Sequence, residues 1–266
     1  MMEPRRYLML DEAIAATERF AKTCVKPEDT YFYDHVKRYA ATLARIPFPR
    51  GDDESCIEFG ASHFFQWALK AIFGYATVHG TYFGGNEVHR KIEIQGPDYY
   101  KVHDGYSVNI ENDPMPIEDS VYDFSLCCEV IEHMDVDPMY LMAEINRITK
   151  VGGTILMTTP NSASGRNVYK ILQGYAPHFF MLYSKDRSPY RHNIEYDVHQ
   201  VMRLCTAAGF DAINLQTLDT FHETPHEVLA FLKANGFPTE ARGDNIFYFG
   251  AKAEAVRDRY PSGIYM

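Results

Sequence analysis

Residues 108–134 read VNIENDPMPIEDSVYDFSLCCEVIEHM, and residues 137–161 read DPMYLMAEINRITKVGGTILMTTPN. The apolar run at 122–128 has strand length and ends at the polar cluster Glu129-Val130-Ile131-Glu132-His133. A helix is predicted from Pro138, closed by Gly152-Gly153, and a second strand over 153–159 follows it directly. Strand, helix and strand in immediate succession describe a parallel crossover unit.

The same alternation continues outward in both directions. Further strands are predicted near 55–59, 77–82, 107–110, 211–217 and 245–252. Helices are predicted near 63–74 and 196–208, with shorter pieces around 166–173 and 225–234. This pattern predicts an α/β fold: a seven-stranded, mostly parallel sheet with helices on both faces. The last two strands have no long helix after them, so an antiparallel hairpin at the C-terminal edge is expected. Upstream, Leu8, Leu10, Ile14 and Phe20, then Tyr33, Val36, Tyr39, Ala40 and Leu43, recur at helical spacing. Pro47, Pro49 and Gly51-Asp52-Asp53 then break the pattern. The expected organisation is an N-terminal helical cap over 1–50 and a single α/β domain over 51–266.

Composition narrows the function classes. In 266 residues, 46% are hydrophobic, enough for one large core, and no run approaches the length of a membrane span. The net charge of −10 argues against a general nucleic-acid binder, which needs clustered Lys and Arg. Five scattered cysteines, Cys24, Cys56, Cys127, Cys128 and Cys205, read as free thiols of a reducing compartment, so the cytoplasm is the expected location. No HxH or CxxC spacing is present, and no metal is expected.

In an open parallel sheet, ligands sit at the carboxyl ends of the strands. The first such end lies in SCIEFGASHFFQWALKAIFG, residues 55–74, where Glu58 closes a strand and Gly60-Ala61-Ser62 turns into a helix. Gly60 permits a tight turn and the helix start offers free amides. The second is VHGTYFGGNEVH, residues 78–89, and the third is the acidic loop beginning at Asn109. Later, SPYRHNIEYD at 188–197 gathers Arg191, His192, Asn193, Glu195 and Tyr196 just before a helix, after the aromatic segment YAPHFFMLY. Asp197 reads equally as a helix N-cap, and Arg191 with Glu195 as a solvated pair. The aromatic segment, with Tyr175, Phe179, Phe180 and Tyr183, reads as a lid, a dimer contact or plain core.

As an ordered set, Asp123-Phe124 before the strand, EVIEH after it, INRITKVGG, TTPN and AAGF resemble the class I methyltransferases. The likeness is to bacterial enzymes found with polysaccharide and secondary-metabolite biosynthesis, and it spans roughly residues 55–217. It implies a Rossmann-like sheet and S-adenosylmethionine as cofactor. Glu58 matches the acid that holds the methionine part, and Gly60 the first glycine of the cofactor loop, with Ala61 and Ser62 completing the turn. Asn109, Ile110 and Glu111 fall where the family surrounds adenine, and Glu129 opens the wall beside the reacting methyl group. The resemblance further implies that the RHN-x-EY stretch folds over the substrate. Arg191, Asn193 and Tyr196 would then contact it.

Two positions depart from the family pattern. Ser62 and Phe64 replace the second and third glycines of D/E-x-G-x-G-x-G. Tyr82 stands where an acid usually binds both ribose hydroxyls, and the nearest acid downstream is Glu87. Tyr82 offers one hydrogen bond or a stacking face instead.

Methyl transfer needs an aligned nucleophile, and a hydroxyl acceptor also needs a base. His133, His192 and Glu195 are the candidates, His133 reading alternatively as a residue that orients its loop. The expected activity is O-methylation of a small molecule: a sugar, sugar nucleotide or glycan intermediate. A homodimer is conceivable. The departures leave open a methyltransferase-fold protein that no longer methylates and serves as a binding or scaffolding partner.

Overall fold

The computed structural model describes residues 5–84, 87–177 and 191–266. Three helices come first: α1 (Leu10–Cys24), α2 (Thr30–Asp34) and α3 (Val36–Leu43). Then follow β1 (Ser55–Phe59), α4 (His63–Ala71), β2 (Thr77–Tyr82), β3 (His89–Gly96), β4 (Tyr99–Ser107) and β5 (Tyr122–Cys128). After a 3-10 turn at Ile131–His133 come α5 (Pro138–Ile148), β6 (Thr149–Pro160), α6 (Gly165–Leu172) and α7 (Val198–Ala207). β7 (Phe210–Leu218), α8 (His226–Ala234) and β8 (Asn245–Lys252) complete the order.

The strands form one eight-stranded sheet in the order β3-β4-β2-β1-β5-β6-β8-β7. Its centre, β4-β2-β1-β5-β6, is parallel throughout. β3 pairs with β4 antiparallel, and β8 pairs antiparallel with both β6 and β7. The expected count of seven strands is therefore corrected to eight, and the strand expected at 107–110 lies at 99–107 instead. The reason is exposure. β3 and β4 carry polar residues on a solvated face, and of β3 only Ile94 and Gly96 are buried, so the pair lacks the continuous apolar run of a central strand. The C-terminal hairpin is present, with β8 inserted inside the sheet and β7 at the edge.

Successive strand residues feed two separate cores. On one face Ile57, Cys127, Ile155, Met157 and Tyr248 pack under α5 and α7. On the other, Cys56, Phe124, Leu126, Leu156 and Phe249 pack with α4 and with residues of α1 and α3. The period-two alternation of Cys56/Ile57 and Leu156/Met157 is what assigns each residue to its face.

Side-chain caps and ties hold this frame together. Asp137 caps α5 by accepting from the Tyr140 amide at 3.1 Å, with Pro138 in the first helical turn. Asn146 donates to the carbonyls of Ala208 and Glu254, tying INRITKVGG to AAGF. Lys252 donates to the carbonyls of Asn146 and Thr149, satisfying the end of α5 from β8. Asp197 does cap α7, accepting from the His199 and Gln200 amides in a capping box with Gln200. Among the described residues, no helix is long and apolar enough to cross a membrane.

Candidate active site at the strand ends

Glu58 is the penultimate residue of β1 and is only 2% exposed. Its Oε1 accepts from the Ser62 amide at 2.9 Å and the Ser62 hydroxyl at 3.0 Å, and its Oε2 from Gln66 Nε2 at 2.9 Å. Burial pushes its carboxyl up to about 8, against the pull of these three donors. Gly60 turns the chain at φ +65°, and a Cβ there would lie 2.9 Å from Val130 Cγ2. The Gly60 amide donates to Thr81 Oγ1 at 3.0 Å and the Ala61 amide to the Thr81 carbonyl at 2.8 Å.

The structure explains both glycine replacements. Ser62 has extended backbone, φ −113° and ψ 150°, so no glycine is required, and its hydroxyl caps α4 through the Phe65 amide. Phe64 is 2% exposed and meets the rings of Phe20, Phe32 and Tyr39 at 5.1, 5.5 and 5.0 Å. The residue at the third glycine position thus anchors the N-terminal helices.

Tyr82 ends β2, in register with Ser107 at the end of β4. Its ring lies over Gly105, where a Cβ would be 2.6 Å from the ring, and Arg90 sits 5.7 Å from its centroid. Beyond β4, Asn109 accepts from the Glu111 amide at 3.1 Å. Glu111 in turn accepts from the Asp135 and Val136 amides at 2.8 and 3.1 Å. The 109–111 loop is thereby fastened to the loop after EVIEH, with half-buried Ile110 packed on the core. Glu87 is exposed.

After β5, Glu129 adopts φ +54° and turns its carboxylate inward. Oε2 meets Arg38 of α3 at 2.5 Å, while Oε1 accepts from Thr158 at 2.8 Å and Asn245 at 3.0 Å. Burial alone would raise this carboxyl; Arg38, Asn245 and Thr158 together hold it below the usual carboxylate range. Arg38 is itself buried, with its guanidinium 5.5 Å from the rings of Tyr39 and Phe221. The 220–222 loop that brings Phe221 is fixed by Asp244, whose carboxylate accepts from the Thr220 amide and hydroxyl and the Phe221 and His222 amides. His35 closes edge-on to Phe221 at 4.8 Å, so α2 and α3 roof this end of the sheet.

Glu132 is fully buried; its Oε2 accepts from Thr159 at 2.9 Å. His133 Nε2 lies 3.9 Å from Glu132 Oε1, and His133 Nδ1 lies 3.1 Å from the Arg191 carbonyl. The rings of His133 and His192 meet edge-on at 4.9 Å, and His192 Nδ1 is 3.1 Å from Glu195 Oε1. Asn193 braces the two segments. Its amide donates to the Glu132 carbonyl at 2.7 Å, and its side chain donates to the His133 carbonyl at 2.8 Å and to Asp135. Tyr196, 3% exposed, sits in the core and has a packing position rather than an open face. Arg191 is exposed, and its carbonyl faces His133 Nδ1. Tyr175 is exposed, whereas Phe179, Phe180 and Tyr183 lie outside the described residues.

Sequence reading gathered the residues that are contiguous at strand ends but missed Arg38, Asn245, Thr158 and Gln66, which the fold delivers from elsewhere. It also gave no metal-ligand spacing, whereas the fold brings Glu132, His133 and His192 together from two segments.

Among the described residues, eight side-chain polar atoms are buried without a partner, and four of them belong to this edge of the sheet: Tyr82 Oη, Ser107 Oγ, Glu132 Oε1 and Asn245 Oδ1. Buried polar groups are otherwise paired, so this concentration points to a polar ligand. With the Gly60 turn and the Glu58 carboxylate beside them, these residues fit the cofactor implied by the sequence resemblance.

Comparison with known proteins agrees with this geometry. A chain from the complex between the Haloferax volcanii Trm112 methyltransferase activator and its methyltransferase superposes with a TM-score of 0.53 at 14% identity, over 90% of this chain and 98% of that one. An S-adenosylmethionine-dependent methyltransferase from Mesorhizobium loti gives 0.50 at 11% identity, over 81% and 97%. One from Thermotoga maritima, named as a possible histamine N-methyltransferase, gives 0.50 at 19% identity, over 89% and 99%. No curated protein matches the sequence significantly. These structures share the fold. The family described as "Methyltransferase domain" matches residues 31–215, and the chain belongs to that family.

Proposed function

We propose that the protein transfers a methyl group from S-adenosylmethionine to a hydroxyl of a small molecule, on a sugar, sugar nucleotide or glycan intermediate. S-adenosylmethionine is the cofactor; when bound it supplies an electrophilic methyl group on a sulfonium. The observation that carries the reading is the set of four orphaned polar atoms along the strand ends, two on each side of the Gly60 turn in sheet order. Tyr82 and Ser107 suit the ribose, with Asn109 and Ile110 beside the adenine. Glu58, Gly60, Ala61 and Ser62 suit the methionine end, where the Glu58 carboxylate would take the ammonium.

Glu132 and Asn245 lie on the opposite side, where an acceptor hydroxyl would be held and its proton released beside His133 and His192. Glu195 steadies His192. Arg38 neutralises Glu129, and the rings of Tyr39 and Phe221 flank its guanidinium. A hydroxyl-rich acceptor accords with the polar lining of this end of the site. We assign residues 1–50 as a helical cap on a methyltransferase domain of residues 51–266, although the family match begins at residue 31, inside the cap. The reducing cytoplasm remains the proposed location, with a homodimer as a proposed assembly.

Tyr82 favours a second reading. It cannot bind both ribose hydroxyls as a carboxylate does, which would suit a protein that keeps the fold as a binding scaffold. Calorimetric titration with S-adenosylmethionine and S-adenosylhomocysteine, beside Glu58→Ala, separates the two. Micromolar binding, about −8 kcal/mol, lost in Glu58→Ala, is the expected result. Absence of binding by either ligand transfers the case to the scaffold.

A further inference from the structure

We propose that Glu132, His133 and His192 bind a divalent first-row transition-metal cation at the acceptor end of the site. One ligand atom from each residue can be chosen so that all lie within 4.8 Å of one another. Ligands about 2.1 Å from an ion lie about 3 to 4 Å apart, so only a small inward adjustment closes the set.

Three independent features mark the site as built. Glu132 Oε1 is buried with no partner, although Oε2 of the same carboxylate is fixed by Thr159 at 2.9 Å. A buried carboxylate oxygen left bare is costly, and a cation removes that cost. Each histidine also has the outer contact typical of a ligating imidazole. His133 Nδ1 faces the Arg191 carbonyl at 3.1 Å, and His192 Nδ1 faces the Glu195 carboxylate at 3.1 Å. In ligating imidazoles such contacts fix the tautomer and leave the other ring nitrogen as the ligand atom. Finally, Asn193 bolts the two ligand-bearing segments together through the carbonyls of Glu132 and His133, at 2.7 and 2.8 Å.

The nearby Glu129 is excluded from the set, because its two oxygens are occupied by Arg38, Thr158 and Asn245. Two imidazoles and one carboxylate would leave further positions of an ion open, a set suited to Mn²⁺, Fe²⁺, Co²⁺ or Zn²⁺ rather than to Ca²⁺. The role of the ion rests on the methyltransferase reading above; its binding does not. An acceptor hydroxyl held at an open position is acidified. Its proton leaves to water, its oxygen lone pair forms the new O–C bond, and the C–S bond breaks with its electron pair going to sulfur. The histidines then act as ligands, not as proton acceptors.

The test uses the full chain stripped with EDTA and titrated with MnCl₂, following the free-ion signal by electron paramagnetic resonance. One saturable Mn²⁺ per chain is expected, lost in Glu132→Gln, weakened at least tenfold in His192→Ala and retained in His192→Asp. A circular-dichroism thermal melt of each sample reports whether each variant is folded, and binding of S-adenosylhomocysteine is measured beside it. No saturable Mn²⁺ binding by the parent chain overturns the proposal, as does undiminished binding in folded Glu132→Gln and His192→Ala. Saturable Mn²⁺ binding without S-adenosylhomocysteine binding upholds the metal site while removing the methyltransferase reading.

Discussion

At Glu58 a carboxylate is buried without a cationic partner among the described residues, and the donors of Ser62 and Gln66 offset part of its desolvation. Its carboxyl titrates at about 8 in the folded protein, above the 4.5 of an exposed glutamate. Folding therefore favours the protonated form. The associated stability is complete at low pH and is lost as pH rises through that interval, by up to ~1.4 kcal/mol per pH unit. Urea unfolding between pH 5 and 8 is expected to show Glu58→Gln with a shallower decline by about that amount. An unchanged slope would assign the proton elsewhere. The residue was legible in the sequence because it stands at a strand end two positions before a turn-forming glycine. Its partner Gln66 was not, nor was Thr81, which holds the Gly60 amide, since neither type is distinctive at its position and only the packed fold brings them near. Arg38 is a sharper case: in the sequence it is one basic residue in an amphipathic helix, and only the tertiary fold sets it against Glu129.

Among the elements, α4 carries the clearest substitution of one design for another. A glycine at position 64 would leave the turn unburdened; the phenylalanine buries against Phe20, Phe32 and Tyr39 and fastens the N-terminal helices. Phe64→Ala is expected to cost about 3–5 kcal/mol in unfolding free energy. A loss below 1 kcal/mol would show that the helices are held by other contacts. The central strands and the start of α5 at Pro138 were legible because strands buried on both faces read as apolar runs; the expected close of the helix at Gly152-Gly153 is corrected to Ile148, since both glycines lie inside β6. β3 escaped because an antiparallel strand with one wet face mixes His, Arg, Lys and Glu with its two isoleucines. That omission also displaced β4 toward Val108, which lies just past its end.

Across the whole molecule, the Arg38–Glu129 pair joins the N-terminal helices to the heart of the sheet, with side-chain exposures of only 7% and 12%. Removing one partner strands the other's charge. Arg38→Ala is expected to cost about 3–5 kcal/mol, and the double variant Arg38→Ala/Glu129→Gln to recover a large part of it. Additive losses in thermal or urea melts would contradict a coupled pair. The overall class of the fold was legible from the alternation of elements. The roof made by α2, α3 and the 220–222 loop was not, because no local pattern records which distant loop a helix will meet.

Because β8 lies between β6 and β7, the order in which the strands are synthesised differs from the order in which they sit side by side. Until residues 245–252 emerge from the ribosome, β6 and β7 have no common neighbour, and each presents an open row of amides and carbonyls. Lys252 and Asn245, which satisfy the end of α5 and Glu129, arrive at the same late moment. A nascent chain halted before this strand therefore lacks the centre of one side of the sheet, and assembly of the Glu129 site waits on the final β-strand.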